Sequence, residues 1–388
     1  MHREVVERRA WIDERSFLHA LRLCTALPGP EAQQLACYLG YRLHGVRGAL
    51  ASGGLFILPS FVLIVVLSWL YVAFGETPIL QGVVRGLGGA VVALVLAACL
   101  RLGRKVVRTR WTLVIGVVAG AALLVGVPFP ALIVLGAIVG ITIGRLSPTA
   151  LVPLEDQVDP GESAPPIDRA VLVRRTIIGL GLWLIPLLLL LLIGGVIAEL
   201  AGFFTITALV SFGGAYAVLP FVASVAVSRF GWLLPEQMVA GLALGETTPG
   251  PLIMVNSFVG FLAGWSSLGG FTGGLVGATV ATAATFAPSF LLITLGAPLV
   301  DRVPVRGPIA DALASLQGVV AGAVVVLALF LADNAFLRSG GIDLVAIVVA
   351  VAVFLLYRRN LPVPLLVICA ALVGAAIGLI GPIVGVLG

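Results

Sequence analysis

Charged residues are scarce in this chain. Only 11% of its 388 residues are charged and 60% are hydrophobic, with a mean hydropathy of +1.17. About a quarter of the residues of a soluble domain are charged, so this shortage excludes an ordinary soluble protein and requires a lipid environment. Lysine is the rarest cation: Lys105 is the only one, and arginines supply the rest of the net charge of +5. There is no basic tail suited to nucleic acid, and positive loops facing the cytoplasm account for the excess of arginine.

Groups that bind metals or catalyse reactions are equally few. The three histidines form no HExxH motif, and no GxSxG or GxxxxGK[ST] sequence is present. The four cysteines, Cys24, Cys37, Cys99 and Cys369, occur singly and form no CxxC pair, so neither a metal site nor a disulfide framework is indicated. The first residues lack the apolar stretch and cleavage site of a signal peptide. We therefore expect no metal, no cofactor and no enzymatic activity.

Long apolar runs are abundant. Five of them are near or above the roughly 20 residues that cross a bilayer as a helix, and two shorter runs meet at "VPFP", which predicts a tight helical hairpin. The five long runs are 50–74, 83–100, 176–198, 275–299 and 313–331, and the two short ones are 113–127 and 131–143. Since the runs are continuous rather than alternating, they predict an all-α polytopic membrane protein with about twelve spans.

A helix breaker occurs twice in these apolar surroundings. Pro28-Gly29-Pro30 follows "WIDERSFLHALRLCTAL", and Pro249-Gly250-Pro251 follows "WLLPEQMVAGLALGETT"; in both copies the tryptophan lies 17 residues before the first proline. Three further pairs keep the same order: "PSFVLI" and "PSFLLI", "LQGVV" twice, and "VPFPALIV" and "LPVPLLVI". Four matches in register predict that the chain is duplicated.

The charges of equivalent loops predict that the two halves are inverted. The first-half loop "RLGRKVVRTR" is strongly basic, whereas its counterpart "ADNAFLRSGGID" is not. The bias reverses at the next loop, where "VPFP" is uncharged and its partner follows "YRRN". Basic loops mark the cytoplasmic side, so equivalent loops should lie on opposite faces. We predict a first repeat at 1–145, a cytoplasmic linker at 146–175, a connecting transmembrane helix at 176–200 and an inverted second repeat at 201–388.

Inverted repeats with matching proline and glycine interruptions predict a secondary transporter whose site lies at the repeat interface. A break frees backbone N–H groups at the start of the following half-helix, where the helix dipole favours an anion. The prolines stop the helix, and the glycine lets the backbone approach a ligand. A kink tolerated for packing is the alternative interpretation. Both breaks are therefore candidate substrate-binding segments, comprising Pro28, Gly29, Pro30, Pro249, Gly250 and Pro251.

The same segments carry a family resemblance. "LCTALPGPEAQQLACYLGYRLHGVRGAL", "SFGGAYAVLPF" and "ALGETTPGPLIMVNSFVGF" resemble the signature segments of the chromate ion transporter family, and the likeness covers essentially the whole chain. The resemblance implies an inner-membrane protein that exports chromate, with related oxyanions such as sulfate as alternative substrates. The sequence departs from the family's pattern in its first half, where no span with an SFGG segment precedes Trp11. We expect a chain truncated at its start, or a site that lacks one pseudo-symmetric half.

Ionisable side chains near the breaks are candidates for coupling and binding. Glu31 follows the first break and Glu246 precedes the second, and each is a candidate for carrying a coupled proton; complementing a helix dipole is the alternative, which suits Glu31 better. Arg22, with His19 on the same face, is a candidate for pairing with a carboxylate or binding the dianion, or for lying at the interface. Arg85 is expected to contact lipid headgroups.

Neutral groups complete the predicted site. They offer hydrogen bonds to oxyanion oxygens or, in some cases, satisfy helix backbone. They are Gln33, Gln34, Ser211, Gly213, Gly214, Tyr216, Thr247, Thr248 and Asn256. We expect chromate efflux by rocking of the two halves, coupled to protons or to the membrane potential, with the bilayer and a small inorganic anion as partners and a homodimer left open. An intramembrane lipid-modifying enzyme and a passive channel are the alternatives from other classes.

Overall fold

A computed structural model describes residues 1–106, 109–147, 150–151, 169–298, 307–338 and 341–387. Helices dominate this part of the chain, and the strands β1 (Leu337–Arg338) and β2 (Gly341–Ile342) form one short antiparallel pair. The helices are α1 (Glu14–Ala26), α2 (Glu31–Phe74), α3 (Pro78–Val106), α4 (Arg110–Leu124), α5 (Phe129–Leu146), α6 (Arg169–Ile193), α7 (Gly195–Leu209), α8 (Ala215–Ser224), α9 (Pro235–Thr247), α10 (Val255–Gly264), α11 (Gly270–Gly296), α12 (Pro308–Phe336), α13 (Leu344–Arg358) and α14 (Val363–Leu387). The prediction of an all-α polytopic membrane protein is confirmed. The predicted linker falls largely outside the described residues.

Seven helical segments in the described ranges are long and apolar enough to cross a membrane, and four shorter apolar helices accompany them. Two of the seven, Glu31–Phe74 with 44 residues and Leu252–Gly296 with 45, have about twice the length of one crossing. The first turns at Gly45, with a φ of 60°, and the second at Gly269 and Gly270, with φ values of 86° and 61°. Each segment is therefore two helices joined by a sharp turn.

Glycines hold the two arms of each turn together. Gly40 lies directly against Gly48 in the first turn, and Gly264 against Gly273 in the second, with no room for a Cβ atom at any of these positions. Ser52 adds a hydrogen bond to the carbonyl oxygen of Ala36 at 2.8 Å. Small residues allow such close approach between membrane helices. Each break is thus followed by a tight helical hairpin, which consists of a short helix, a glycine turn and a long helix.

Equivalent helices of the two halves run antiparallel. In α3 and α12, Gly88 faces Ala335, and Cys99 Sγ donates to the carbonyl oxygen of Val324 at 3.4 Å. As the residue number rises along α3, it falls along α12. The part of α2 after its turn, residues 46–74, is likewise antiparallel to α11. Gly53 packs on Phe290, and the rings of Trp69 and Phe271 lie 6.4 Å apart. Antiparallel packing of equivalent helices supports the inverted repeat.

The two halves also exchange their helical hairpins. α12 packs on α4 and α5 of the first half, while α3 packs on α13 and α14 of the second half. Glycines line these contacts: Gly322 lies against Gly116 and Gly120, and Gly82 against Gly374. The sequence "GLGG" takes part, because Gly86 and Gly89 contact α14 and α13. Its interpretation as a close-packing segment is confirmed, and the hairpin expected at "VPFP" is formed by α4 and α5.

Two sequence expectations are corrected. The connecting helix predicted at 176–200 is divided, because Gly194 and Gly195 adopt φ values of 78° and 58° that end α6 and begin α7. Arg85, expected at lipid headgroups, instead forms an ion pair with Asp343 at 2.9 Å. Asp343 is nearly buried and caps α13 through the backbone N–H of Ala346. Arg85 therefore joins α3 of one half to α13 of the other.

Candidate functional site

The two breaks are short extended segments between helices. α1 ends at Ala26 and α2 begins at Glu31, while α9 ends at Thr247 and a short 3-10 turn, Leu252–Met254, leads into α10. Pro30 and Pro251 precede these second helices with extended φ and ψ angles, which a proline adopts without strain. Gly29 has a φ of 128°, which only glycine adopts readily.

Each break contacts the opposite half of the molecule. Gly29 lies against Ser289 of α11, and Gly250 lies against Ser60 of α2. Ser60 and Ser289 are the equivalent serines of "PSFVLI" and "PSFLLI", so the two contacts exchange when the repeats are exchanged. A Cβ atom on Gly250 would lie 2.8 Å from Cβ of Ser60 and would clash with it. The glycines are therefore needed for this close approach.

The SFGG segment, which comprises residues 211–214, contacts the first break. The backbone N–H of Gly29 donates to the carbonyl oxygen of Ser211 at 2.7 Å. Gly213 and Gly214, with φ values of 75° and 96°, turn the chain from α7 into α8. The structure thus brings together two of the predicted segments, one from each half, through a backbone hydrogen bond.

The predicted neutral side chains have different roles. Gln34 donates from Nε2 to the carbonyl oxygen of Pro28 at 2.8 Å and so braces the first break. Asn256 donates to Thr285 Oγ1 at 3.1 Å. Thr247 and Thr248 instead donate to backbone carbonyl oxygens within α9, at 2.7 and 2.9 Å. Both threonines therefore satisfy a helix end in this structure, which was the alternative role considered for such groups.

Buried polar atoms that lack a hydrogen-bond partner are concentrated on residues near the two breaks. Buried side-chain atoms without a hydrogen-bond partner in the described ranges include one each on Gln33, Gln34, Ser60, Ser211, Asn256 and Ser289. Leaving such a group unpaired costs about 1–3 kcal/mol, and native structures contain few of them. An accumulation of them beside two helix breaks is typical of a site that binds a polar ligand.

Glu246 belongs to a polar cluster of its own. The hydroxyl of Tyr216, in the first turn of α8, donates to the carboxylate of Glu246. Arg101 acts electrostatically on both groups, and its guanidinium lies 5.6 Å from the ring centre of Tyr357. The cluster therefore contains one residue from each of four helices: Arg101 of α3, Tyr216 of α8, Glu246 of α9 and Tyr357 of α13.

The first half is built differently. Glu31 is the first residue of α2 and half-buried. At this position the positive end of the helix dipole stabilises its negative charge. Arg22 lies half-buried on α1, two turns before the break, and makes no hydrogen bond or ion pair with any residue that the structure describes. The two predicted coupling carboxylates thus hold different positions, Glu31 at the start of a helix and Glu246 near the end of α9 beside the hydroxyl of Tyr216.

Sequence reasoning missed Ser60 and Ser289 as site residues. The "PSF" segments served only as markers of the repeat. Nothing in the sequence shows that a serine about 30 to 40 residues after one break faces the other break. The repetition of a small polar residue directly after a proline in two apolar helices was the available signal. Arg101, which acts on Glu246, and Tyr357, which contacts Arg101, were likewise not predicted as members of this cluster, since they lie far from Glu246 in sequence.

Comparisons with known proteins agree with this architecture. The family profile of the chromate transporter matches residues 1–141 and 198–375. A probable chromate transport protein of Synechococcus elongatus is 30% identical over 96% of this chain and 88% of its own length. The chromate transport protein of Cupriavidus metallidurans is 31% identical over 96% of this chain and 86% of its own length.

A third relative, the chromate transport protein of Pseudomonas aeruginosa, is 32% identical over 84% of this chain and 72% of its own length. No solved structure matches the chain. The matched family is one of transporters, so the expectation that the chain is not an enzyme is confirmed and the lipid-modifying enzyme is set aside. On the evidence of the profile and of these relatives, the chain belongs to the chromate transporter family.

Proposed function

We propose that this protein exports chromate across the plasma membrane as a secondary transporter. The hydrogen bond from Gly29 to Ser211 carries the proposal, because it joins the first break to the SFGG segment of the other half. Family membership supports an anion transporter, and the relatives' names support chromate as the anion. Substrate would lie where the breaks and SFGG meet, bound by groups from both halves.

The mechanism follows from the exchange of contacts between the halves. Rocking of one repeat against the other would separate one break from its partner helix while the other break stays in contact. The positive ends of the helices after the breaks attract a dianion. Neutral amide and hydroxyl groups bind it without a fixed countercharge, so release stays fast. Sulfate, also a tetrahedral dianion, is the competing substrate.

Glu246 is our candidate for coupling to protons. A carboxylate beside an anion site repels the substrate unless it is protonated or paired. Tyr216 donates to this carboxylate, and Arg101 places a positive charge in the same cluster. Gain or loss of a proton at Glu246 would therefore change the affinity of the site for the anion, which couples anion binding to pH.

Flux of radiolabelled chromate into proteoliposomes, with and without an imposed pH gradient, tests the proposal. Wild-type flux should saturate, respond to the gradient and fall when sulfate competes. Glu246→Gln and Tyr216→Phe should each lower the response to the gradient roughly tenfold, and the double variant should be no worse than either, because the two groups act as one unit.

Glu236→Gln is the matched control, because Glu236 lies on the same helix, α9, with its side chain exposed. It should leave flux unchanged. Flux that rises linearly with concentration and ignores the gradient would favour the passive channel. Absence of any chromate flux from the wild-type chain would sink the substrate assignment, and unaltered flux in Glu246→Gln would remove Glu246 from the coupling mechanism. The homodimer remains a prediction.

A further inference from the structure

Two buried hydroxyl groups make no hydrogen bond within the part of the protein that the structure describes. Ser60 in α2 and Ser289 in α11 are completely shielded from solvent, and Oγ of each lacks a hydrogen-bond partner. A hydroxyl left unpaired in a buried place is costly. Other buried hydroxyls of the same helices avoid that cost: Ser68 donates to the carbonyl oxygen of Ile64 at 2.6 Å, and Thr285 to that of Ala281 at 2.8 Å. Ser60 and Ser289 are thus exceptions in their own helices.

Both hydroxyls point at a break. For a Cβ atom built on Gly29, the nearest atom is Oγ of Ser289, and for one built on Gly250 it is Oγ of Ser60. The serines' own Cβ atoms lie farther away, at 3.3 and 2.8 Å respectively. Each hydroxyl therefore faces a glycine backbone of the opposite half rather than its own helix.

The same arrangement appears twice, related by the repeat. Both serines follow a proline within a helix, Pro59 in α2 and Pro288 in α11. A proline in a membrane helix frees a backbone carbonyl that neighbouring groups can satisfy. Neither serine performs that task by a hydrogen bond in this structure. Two unpaired donors at equivalent positions, each aimed at a break, indicate a common function.

We propose that Ser60 and Ser289 are substrate ligands, each donating its O–H to an oxyanion held at the break of the opposite half. This assignment rests on the proposed function. Each half-site then contains a helix start from one repeat and a hydroxyl from the other, so that movement of the repeats necessarily changes both. Hydrogen bonds from a hydroxyl to an anionic oxygen are short and strong, and they need no buried countercharge. The ligand class is a tetrahedral oxyanion with several acceptor oxygens.

Binding by the purified full chain in detergent tests this assignment without transport. Chromate that binds the folded protein raises its thermal unfolding temperature by an amount that grows with the logarithm of the chromate concentration relative to Kd, and chloride serves as the control anion. Ser60→Ala and Ser289→Ala should each raise the Kd for chromate about tenfold, from loss of one charge-assisted hydrogen bond. Ser68→Ala, which removes an equally buried hydroxyl from α2 that is already paired, should leave the Kd unchanged.

The outcomes separate the two proposals. If chromate stabilises the wild-type protein and both alanine variants to the same extent, the serine assignment is wrong while the transporter assignment stands. If chromate neither stabilises the wild-type protein nor crosses with it in proteoliposomes, the proposed function fails and the serine assignment with it. Should an alanine variant fail to fold, Ser60→Cys and Ser289→Cys keep the side-chain shape with a slightly larger terminal atom, but offer only a weak S–H donor. They should show the same loss of affinity.

Discussion

Individual glycines at the two breaks perform different tasks. Gly29 combines a left-handed φ of 128° with close contacts to Ser289 and Gln34. Gly250 has no such backbone requirement, but no Cβ fits between it and Ser60. Glycine is needed at the first break because of its backbone conformation and at the second because a larger side chain has no space. Both tasks bring a backbone within reach of a buried hydroxyl.

Gly29→Ala should destabilise the protein and abolish flux. A Cβ at this φ is strained and would lie 2.7 Å from Nε2 of Gln34, so we expect a loss of about 2–3 kcal/mol in the free energy of unfolding. Thermal unfolding in detergent and chromate flux would measure both effects. Gly54→Ala is the control, because Gly54 lies in α2 with open space around it and should be neutral or slightly stabilising. Equal behaviour of the two variants would contradict this role of Gly29.

Helices in this fold pack closely against each other at small residues rather than at large ones. Hydrophobicity cannot drive helices together in lipid, so close van der Waals contact and interhelical hydrogen bonds replace it. The contacts of α12 show the principle: Gly322 lies against the backbone of Gly116, and Ser315 donates to the carbonyl oxygen of Gly136 at 2.7 Å. These contacts lock α12 between the two helices of the first-half hairpin.

Gly322→Leu should separate α12 from α4. The leucine side chain has no space between two helix backbones, and overpacking of this kind costs about 1–3 kcal/mol. Thermal unfolding of the purified protein should show a lower midpoint, with chromate flux reduced as well. Gly181→Leu is the matched control, because Gly181 lies on α6, where only a methyl group of Ile185 comes near. A midpoint lowered as much by Gly181→Leu would mean that α12 packing is not the cause.

The molecule as a whole is two halves that hold each other. α3 and α12 cross antiparallel, and each packs on the hairpin of the other half. The ion pair between Arg85 and Asp343 and the stacking of Arg101 over Tyr357 connect α3 to α13 near both ends. The proposed rocking of the halves would slide or rotate these interfaces and would change the contacts of both breaks.

Inversion predicts that equivalent turns label from opposite faces. Val125 lies in the turn between α4 and α5, and Arg359 in the equivalent turn between α13 and α14; both side chains are exposed. In a Cys369→Ser background, which removes the exposed native thiol, Val125→Cys should react with a membrane-impermeant thiol reagent added to intact cells. Arg359→Cys should react only in inverted vesicles, because the positive charge of its loop predicts a cytoplasmic position. Labelling of both from one side would refute the inverted arrangement.

Local physics makes part of this protein readable from its residues. Apolar runs demand helices in lipid, proline and glycine end those helices, and a repeated breaker marks a repeated unit. The all-α membrane architecture, the hairpin at "VPFP" and the family resemblance followed from such signals, which lie within a few residues of each other. The division of α6 from α7 at Gly194 and Gly195 was missed because hydropathy alone does not register a left-handed backbone.

Tertiary packing decided which groups meet. That Gly29 faces Ser289, that Tyr216 donates to Glu246 and that Arg85 pairs with Asp343 depends on how antiparallel halves slide into register. Glycine contacts set this register over distances of two hundred residues and more, and one chain's composition carries no record of them. The breaks could therefore be recognised from the sequence, whereas the buried serines that face them became visible only once the two halves were packed together.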